Sequence, residues 1–237
     1  MTTTLIEACD LAKSFGHTHA VDAISLRVER GTIVGLLGVN GAGKTSLMRL
    51  LSGALRPDRG TALIAGLDVH REPRKARQML GYVPEAAAGF STLTAREFLS
   101  FVAEGRGVVG SRAVLTAAGR LDLSPALDRV MGTLSKGWRQ RAWLAQAIIH
   151  DPPVLILDEP TDGLDPAQKS ELRVFLREAA KSKAILMSTH ILEEAEALCD
   201  RIVVIAGGRV AGDAPLREFC SPDGRLTVAW DQFAAPL

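Results

Sequence analysis

The segment 38–45, GVNGAGKT, constrains this chain more than any other stretch of its sequence. It matches the pattern GxxxxGK[ST], follows an apolar run at 32–37 and precedes apolar residues at helical spacing. Glycines let consecutive backbone N–H groups turn towards an anion, and the following helix adds its positive N-terminal end. The segment predicts a phosphate-binding loop in which Lys44 contacts the β and γ phosphates and Thr45 ligates Mg²⁺.

A second strand end supplies two carboxylates. The apolar run 154–157 ends in Asp158 and Glu159, and Pro160 stops the strand. We expect Asp158 to hold Mg²⁺ through water and Glu159 to act as the general base for an attacking water. Adjacent carboxylates also occur at strand ends as ordinary surface groups. The phosphate loop earlier in the chain favours the catalytic interpretation.

The periodicity of apolar residues predicts an α/β fold. Continuous runs at 32–37, 154–157 and 184–187 are typical of parallel strands that helices cover on both faces. The runs 201–206 and 209–211 flank Gly207-Gly208 and predict a hairpin. Patterns typical of helices begin at Lys44, after Thr94 and after Asp165, and Thr94 forms a predicted capping box with Glu97. Residues from about 86 to 150 have a mainly helical pattern. We therefore expect an α/β core with an inserted helical lobe.

Composition narrows the class of protein. The 28 basic and 27 acidic side chains leave a net charge of +1, which gives no sign of a nucleic-acid binder. Cys9, Cys199 and Cys220 are far apart and form no CxxC pair, so free thiols in a reducing compartment are expected. The N-terminal residues lack a signal-peptide pattern, and no apolar run reaches the roughly 18 residues of a membrane span. A role at a membrane would need a partner that spans it.

Together these motifs resemble the ABC ATPases over roughly residues 4–215. Phe15 lies where that family places the aromatic ring that stacks on adenine, although a core phenylalanine is an alternative. The segment 134–138, LSKGW, stands where the signature LSGGQ is usual, and Ser135 is also a good helix N-cap. The segment 162–165 resembles the D-loop, and His190 resembles the switch histidine.

The resemblance implies a P-loop NTPase (RecA-like) core with a mixed sheet, an antiparallel β edge and a helical lobe at about 86–150, within an ATP-binding domain at 1–215 and a short tail at 216–237. It assigns catalysis to Glu159, His190 and Lys44, and Mg²⁺ binding to Thr45, Glu85 and Asp158. ATP contacts within one protomer fall to Phe15, Gly38, Val39, Asn40, Gly41, Ala42, Gly43, Lys44, Thr45 and Ser46. Contacts from the other protomer fall to Ser135, Lys136, Gly137, Asp162 and Asp165.

Three parts of the sequence depart from the usual family motifs. Lys136 and Trp138 replace a glycine and a glutamine of the signature; we expect the lysine to add positive charge near the phosphate and the tryptophan to pack. Glu85 replaces a glutamine, and its carboxylate can still ligate Mg²⁺. Asp162 replaces the commoner serine of the D-loop. None of these changes removes a group that hydrolysis requires.

The resemblance implies a function as well. ATP would hold two protomers head to tail, as a homodimer or a heterodimer, and hydrolysis would drive transport through a separate integral membrane permease, with export favoured. The chain would then lie in the cytoplasm, on the inner face of the cell membrane. A cytosolic scaffold or regulatory ATPase is the main alternative. Import also stays open, although the short tail after Pro215 disfavours a sugar importer, because such subunits often add a regulatory C-terminal domain. A P-loop kinase would not need LSKGW, the D-loop or His190.

Overall fold

The structure, a computed structural model, describes residues 3–85, 89–220 and 226. Residues 86–88, with which the predicted lobe begins, and most of the predicted tail lie outside this part. The strands are β1 (Thr4–Phe15), β2 (Thr18–Glu29), β3 (Ile33–Leu37), β4 (Arg59–Ile64), β5 (Leu67–Asp68), β6 (Leu80–Val83), β7 (Val154–Leu157), β8 (Ala184–Thr189), β9 (Arg201–Ala206) and β10 (Arg209–Pro215). The helices are α1 (Lys44–Leu51), α2 (Pro73–Gln78), α3 (Ala95–Gly105), α4 (Ser111–Gly119), α5 (Lys136–Ile148), α6 (Pro166–Ala180) and α7 (Leu192–Leu198).

The strands form two sheets. The larger sheet has the order β10-β9-β3-β8-β7-β6, in which β9, β3, β8, β7 and β6 run parallel and β10 pairs antiparallel with β9. The smaller sheet, in the order β2-β1-β4-β5, is wholly antiparallel. The predicted mixed sheet with an antiparallel β edge is therefore confirmed, as is the hairpin at Gly207-Gly208.

The central strands are apolar on both faces because each face packs against a separate layer. Along β3, Ile33 and Leu37 belong to a core shared with the helices α3 to α7, whereas Val34 and Leu36 belong to a core shared with α1 and the smaller sheet. All five residues of β3 are buried. This double covering explains the continuous apolar runs, which are typical of parallel sheets between two layers.

The region between β6 and β7 forms the helical lobe, built on α3, α4 and α5. The predicted capping box is confirmed, because the Glu97 N–H donates to Thr94 Oγ1 at 3.2 Å while the Thr94 N–H donates to Glu97 Oε2 at 2.8 Å. The lobe is joined closely to the sheet, since a Cβ on Gly81 would lie 2.1 Å from the Ala147 carbonyl oxygen. Gln146 Nε2 also donates to the Tyr82 carbonyl at 2.7 Å.

Within residues 3–85 and 89–220, none of the helices is both long and apolar enough to cross a bilayer.

Candidate nucleotide-binding and hydrolysis site

Parallel pairing places the predicted catalytic segments at one edge of the larger sheet. The register pairs Leu37 with Thr189 and Leu157 with Met187. The phosphate loop after β3, the acidic pair after β7 and His190 after β8 therefore leave the sheet side by side, at the strand ends where α/β proteins bind ligands.

The phosphate loop has the backbone that its glycines predict. Gly43 is the N-cap of α1 with φ of 108°, and a Cβ there would lie 2.2 Å from the Ala20 carbonyl oxygen. A Cβ on Gly38 would lie 2.5 Å from the Ile205 carbonyl oxygen. The first turn of α1 carries no acidic side chain, so its positive end is available to an anion. The cleft at this end is lined by Thr18, His19, Ala20, Asn40, Gly41, Ala42, Gly43, Lys44, Thr45, Ser46, Glu85, Glu159, Gly207 and Gly208.

Lys44 is buried at the base of this cleft. Its Nζ donates to the carbonyl oxygens of Gly38, at 2.6 Å, and Val39, at 3.2 Å. Burial lowers its pKa, and the nearby carboxylates of Glu159, Asp158 and Glu85 oppose that effect. A desolvated ammonium next to a helix N-terminus is suited to bind a phosphate strongly.

The burial and hydrogen bonding of the Asp158 carboxylate are those expected for a group that faces a metal ion or its water. Its side chain is buried, Oδ1 accepts a hydrogen bond from Ser188 Oγ at 2.6 Å, and Oδ2 is buried without a hydrogen-bond partner. Burial raises the pKa of this carboxyl group, and the neighbouring hydroxyls of Ser188 and Thr45 oppose that effect. Because a buried carboxylate oxygen is costly to leave without a donor or a cation, the residues present fit Mg²⁺.

Thr45 and Glu85 lie together on the same cleft, with the Thr45 hydroxyl donating to Glu85 Oε2 at 3.3 Å. Over the described ranges, no three His, Cys, Asp or Glu side chains gather as an all-protein metal cage. The Thr45 hydroxyl and the Glu85 carboxylate suit Mg²⁺, which proteins bind through one or two carboxylates together with substrate phosphates.

Glu159 and His190 form a pair at the strand ends. His190 Nδ1 lies 3.1 Å from both Glu159 carboxylate oxygens. Glu159 has φ of 50°, a left-handed conformation that is uncommon for a residue with a side chain. Strained backbone of this kind clusters at functional sites, where the surrounding structure holds it in place.

The sequence patterns did not identify Ser188, which joins the two acidic residues. Besides donating to Asp158, its hydroxyl accepts a hydrogen bond from the Glu159 N–H at 2.9 Å. The signal available in the sequence was its place directly after the apolar run 184–187 and two residues before His190.

Glu194 was likewise missed, and it is buried. It accepts hydrogen bonds from Thr161 Oγ1 and from Lys169 Nζ, the latter at 2.6 Å. It connects the segment after Glu159 with α6 and with α7, the helix that follows His190.

Phe15 ends β1 and is 52% exposed, so the alternative of a core phenylalanine is wrong. It is not among the residues that line the cleft, although its neighbours Thr18, His19 and Ala20 are. Lys13 Nζ lies 5.8 Å from the centroid of its ring.

The predicted partner-side residues are not among those that line this cleft. Ser135 is the N-cap of α5, where its hydroxyl accepts from the Trp138 N–H at 3.4 Å. Asp165 caps α6 through the Gln168 N–H at 2.9 Å. Lys136, which we expected to add charge near a phosphate, forms an ion pair with Asp162 in its own protomer, 2.7 Å from Nζ to Oδ2.

Comparison with known proteins agrees with these features. The model of the ABC transporter family matches residues 21–162. The chain belongs to the ABC transporter family. Its members' ATP-binding subunits hydrolyse ATP, so the chain is an ABC ATPase and its domain binds ATP.

Individual ABC relatives cover most of the chain. It is 38% identical over 211 residues to the uncharacterized ABC transporter ATP-binding protein YxlF of Bacillus subtilis, covering 88% of this chain and 70% of YxlF. It is 43% identical over 215 residues to the daunorubicin resistance ATP-binding protein DrrA2 of Streptomyces coeruleorubidus, covering 89% and 67% respectively. A solved ATP-binding subunit of an ABC transporter superposes with a TM-score of 0.85 at 30% identity and covers 97% of both chains.

We predict that Ser188→Ala lowers the ATP hydrolysis rate about tenfold, because Asp158 loses its hydrogen-bond donor and Glu159 its backbone anchor. The loss of one buried hydrogen bond to a charged group should also reduce the free energy of unfolding by about 1.5–3 kcal/mol. Steady-state ATPase assays and denaturant unfolding measure both effects.

Ser52→Ala is the matched control for this variant. Ser52 is a buried serine that donates to the Arg49 carbonyl at 3.2 Å and lies outside the cleft lining. Equal hydrolysis rates for the Ser188 and Ser52 variants would show that Ser188 does not organise the acidic pair.

Proposed function

We propose that the chain is the ATP-hydrolysing subunit of an exporter, which dimerises on ATP and drives a separate integral membrane permease. This proposal rests on one observation: the phosphate loop and the signature lie apart on one protomer. The cleft contains the phosphate loop, Glu85 and Glu159, whereas the signature at Ser135 starts another helix outside it. In a head-to-tail dimer, each signature would complete the partner's cleft.

The N-terminal end of α5 is suited to that role. Ser135 and Lys136 are exposed, and the first turn of the helix carries no acidic side chain. Its free N–H groups and positive helix dipole would therefore bind the γ-phosphate held by the partner. Because ADP lacks this phosphate, the contact would distinguish ATP from ADP and link dimer closure to hydrolysis.

Within each cleft, we assign a catalytic or binding role to each side chain from its position. Lys44 would neutralise the β and γ phosphates, and Glu159 would accept a proton from the attacking water. His190, which lies against both Glu159 oxygens, would orient that carboxylate and contact the γ-phosphate. Thr45, Glu85 and Asp158 would hold Mg²⁺, which neutralises charge on the phosphate oxygens.

The exposed aromatic surface of the helical lobe supports a permease partner. The Phe90 and Phe101 rings are 39% and 59% exposed, with centroids 5.7 Å apart. Both lie in the segment that follows Glu85 in the chain, which we propose as the docking surface for a permease helix. Exposed paired aromatic residues are typical of protein interfaces. The name of DrrA2, a drug-resistance protein, supports export, and a permease would hold the chain at the cytoplasmic face of the membrane.

Co-purification separates this proposal from a cytosolic scaffold or regulatory ATPase. We predict that affinity-tagged chain, isolated from its own cells in mild detergent, retains an integral membrane protein, and that Phe101→Glu loses it because a charge would be buried at the interface. Leu115→Glu is the control, since Leu115 is a comparably exposed apolar residue of the lobe at 51%. Recovery of cytosolic partners alone would contradict transport.

We predict that Glu159→Gln binds Mg-ATP but hydrolyses it about 10²- to 10⁴-fold more slowly, because the amide cannot accept the proton. ATP would then persist and the variant would accumulate as a dimer, which size-exclusion chromatography with and without Mg-ATP detects. Normal turnover would remove the base assignment, and a variant that stays monomeric with ATP bound would contradict the dimer.

We predict that Glu85→Ala weakens the Mg²⁺ dependence of hydrolysis much more than Glu85→Gln does, because glutamine keeps an oxygen that can ligate the metal. Titration of the ATPase rate with Mg²⁺ at fixed ATP measures this difference. Equal rates and equal Mg²⁺ dependence in the wild type and both variants would argue against Glu85 as a ligand.

A further inference from the structure

Two of the departures from the usual family motifs contact each other. Lys136 replaces a glycine in the signature and Asp162 replaces a serine in the D-loop, yet the lysine Nζ lies 2.7 Å from the Asp162 carboxylate. The two residues come from different elements, the first turn of α5 and the loop before α6. They thus form a complementary pair across the junction of these elements.

The backbone beneath the ion pair is packed closely. Gly163 has φ of 69°, and a Cβ there would lie 2.3 Å from Lys136 Cδ, so the lysine side chain runs directly over the D-loop glycine. A Cβ on Gly137 would lie 2.4 Å from Gln168 Oε1, in the first turn of α6. The signature helix and the D-loop therefore meet at two adjacent points.

We propose that Lys136 is a positioning residue that, through Asp162, fixes the D-loop against the signature helix of the same protomer. The signature and the D-loop would then move as one piece when the dimer closes. This inference rests on the proposed function, in which both segments act on the partner's site. It assigns Lys136 a role different from the phosphate contact that its place in the signature implies.

Charge favours this role over a direct phosphate contact. Lys136 is already paired, and moving its ammonium to a phosphate would leave the Asp162 carboxylate unpaired at the same interface, near a triphosphate. The pair also contributes little to folding, because its side chains are 60% and 53% exposed. We therefore expect the ion pair to fix the position of the D-loop relative to α5 rather than to raise the free energy of unfolding.

A charge swap in the purified full chain tests the pair. Lys136→Glu and Asp162→Lys should each lower kcat about three- to tenfold, with KM for Mg-ATP changed less than about twofold, because each places like charges side by side. The double variant, with the charges exchanged, should recover most of the wild-type kcat. Lys181→Glu is the control, since Lys181 pairs with Glu178 at similar exposure, 73% and 67%, and should leave kcat unchanged.

A phosphate-binding lysine would give another pattern, and that pattern would overturn the proposal. Lys136→Glu would raise KM, Asp162→Lys would leave it unchanged or lower it, and the swap would not recover activity. Recovery of the melting temperature without kcat in the swap would also overturn it. A separate experiment tests the proposed function, because ATP-dependent dimerisation of Glu159→Gln is measured with Lys136 and Asp162 intact. A failure of the proposed function would therefore be seen in that experiment and not be confused with a failure of the ion-pair proposal.

Discussion

Parallel pairing of β3, β8 and β7 is the constraint on which the site depends. Each strand is buried on both faces, so burial of apolar surface holds the three together. Their pairing brings the phosphate loop, Asp158 and His190 to one edge, although more than a hundred residues separate the loop from the acidic pair. Ser188 then joins the strand ends by hydrogen bonds to Asp158 and Glu159.

Burial at this edge also sets the electrostatics of the site. It lowers the pKa of Lys44 and raises that of Asp158, so both groups are held in environments that disfavour their charged forms. Phosphates next to the lysine and a cation next to the carboxylate would relieve these costs. The same physical condition would thus favour binding of ATP and of the proposed Mg²⁺.

Features set by neighbouring residues could be predicted from the sequence, whereas features set by tertiary contacts could not. The segment 38–45, the capping box at Thr94 and the hairpin at Gly207-Gly208 are local patterns. By contrast, β1 was not predicted, because Asp10 at φ of 53° and register shifts in its pairing with β2 interrupt the alternation of a strand. The Lys136–Asp162 pair joins residues on separate elements, so each looked like an isolated departure from the family pattern.

In the proposed dimer, one protomer's phosphate loop faces its partner's signature. Cross-linking tests it directly, with Val39→Cys in one chain and Thr133→Cys in a differently tagged chain, both at exposed positions, and with Cys9 and Cys220 replaced by serine. A short thiol cross-linker should give the mixed covalent dimer with Mg²⁺ and a non-hydrolysable ATP analogue, and little of it with ADP. Equal yields with both nucleotides, or no mixed dimer, would contradict the account.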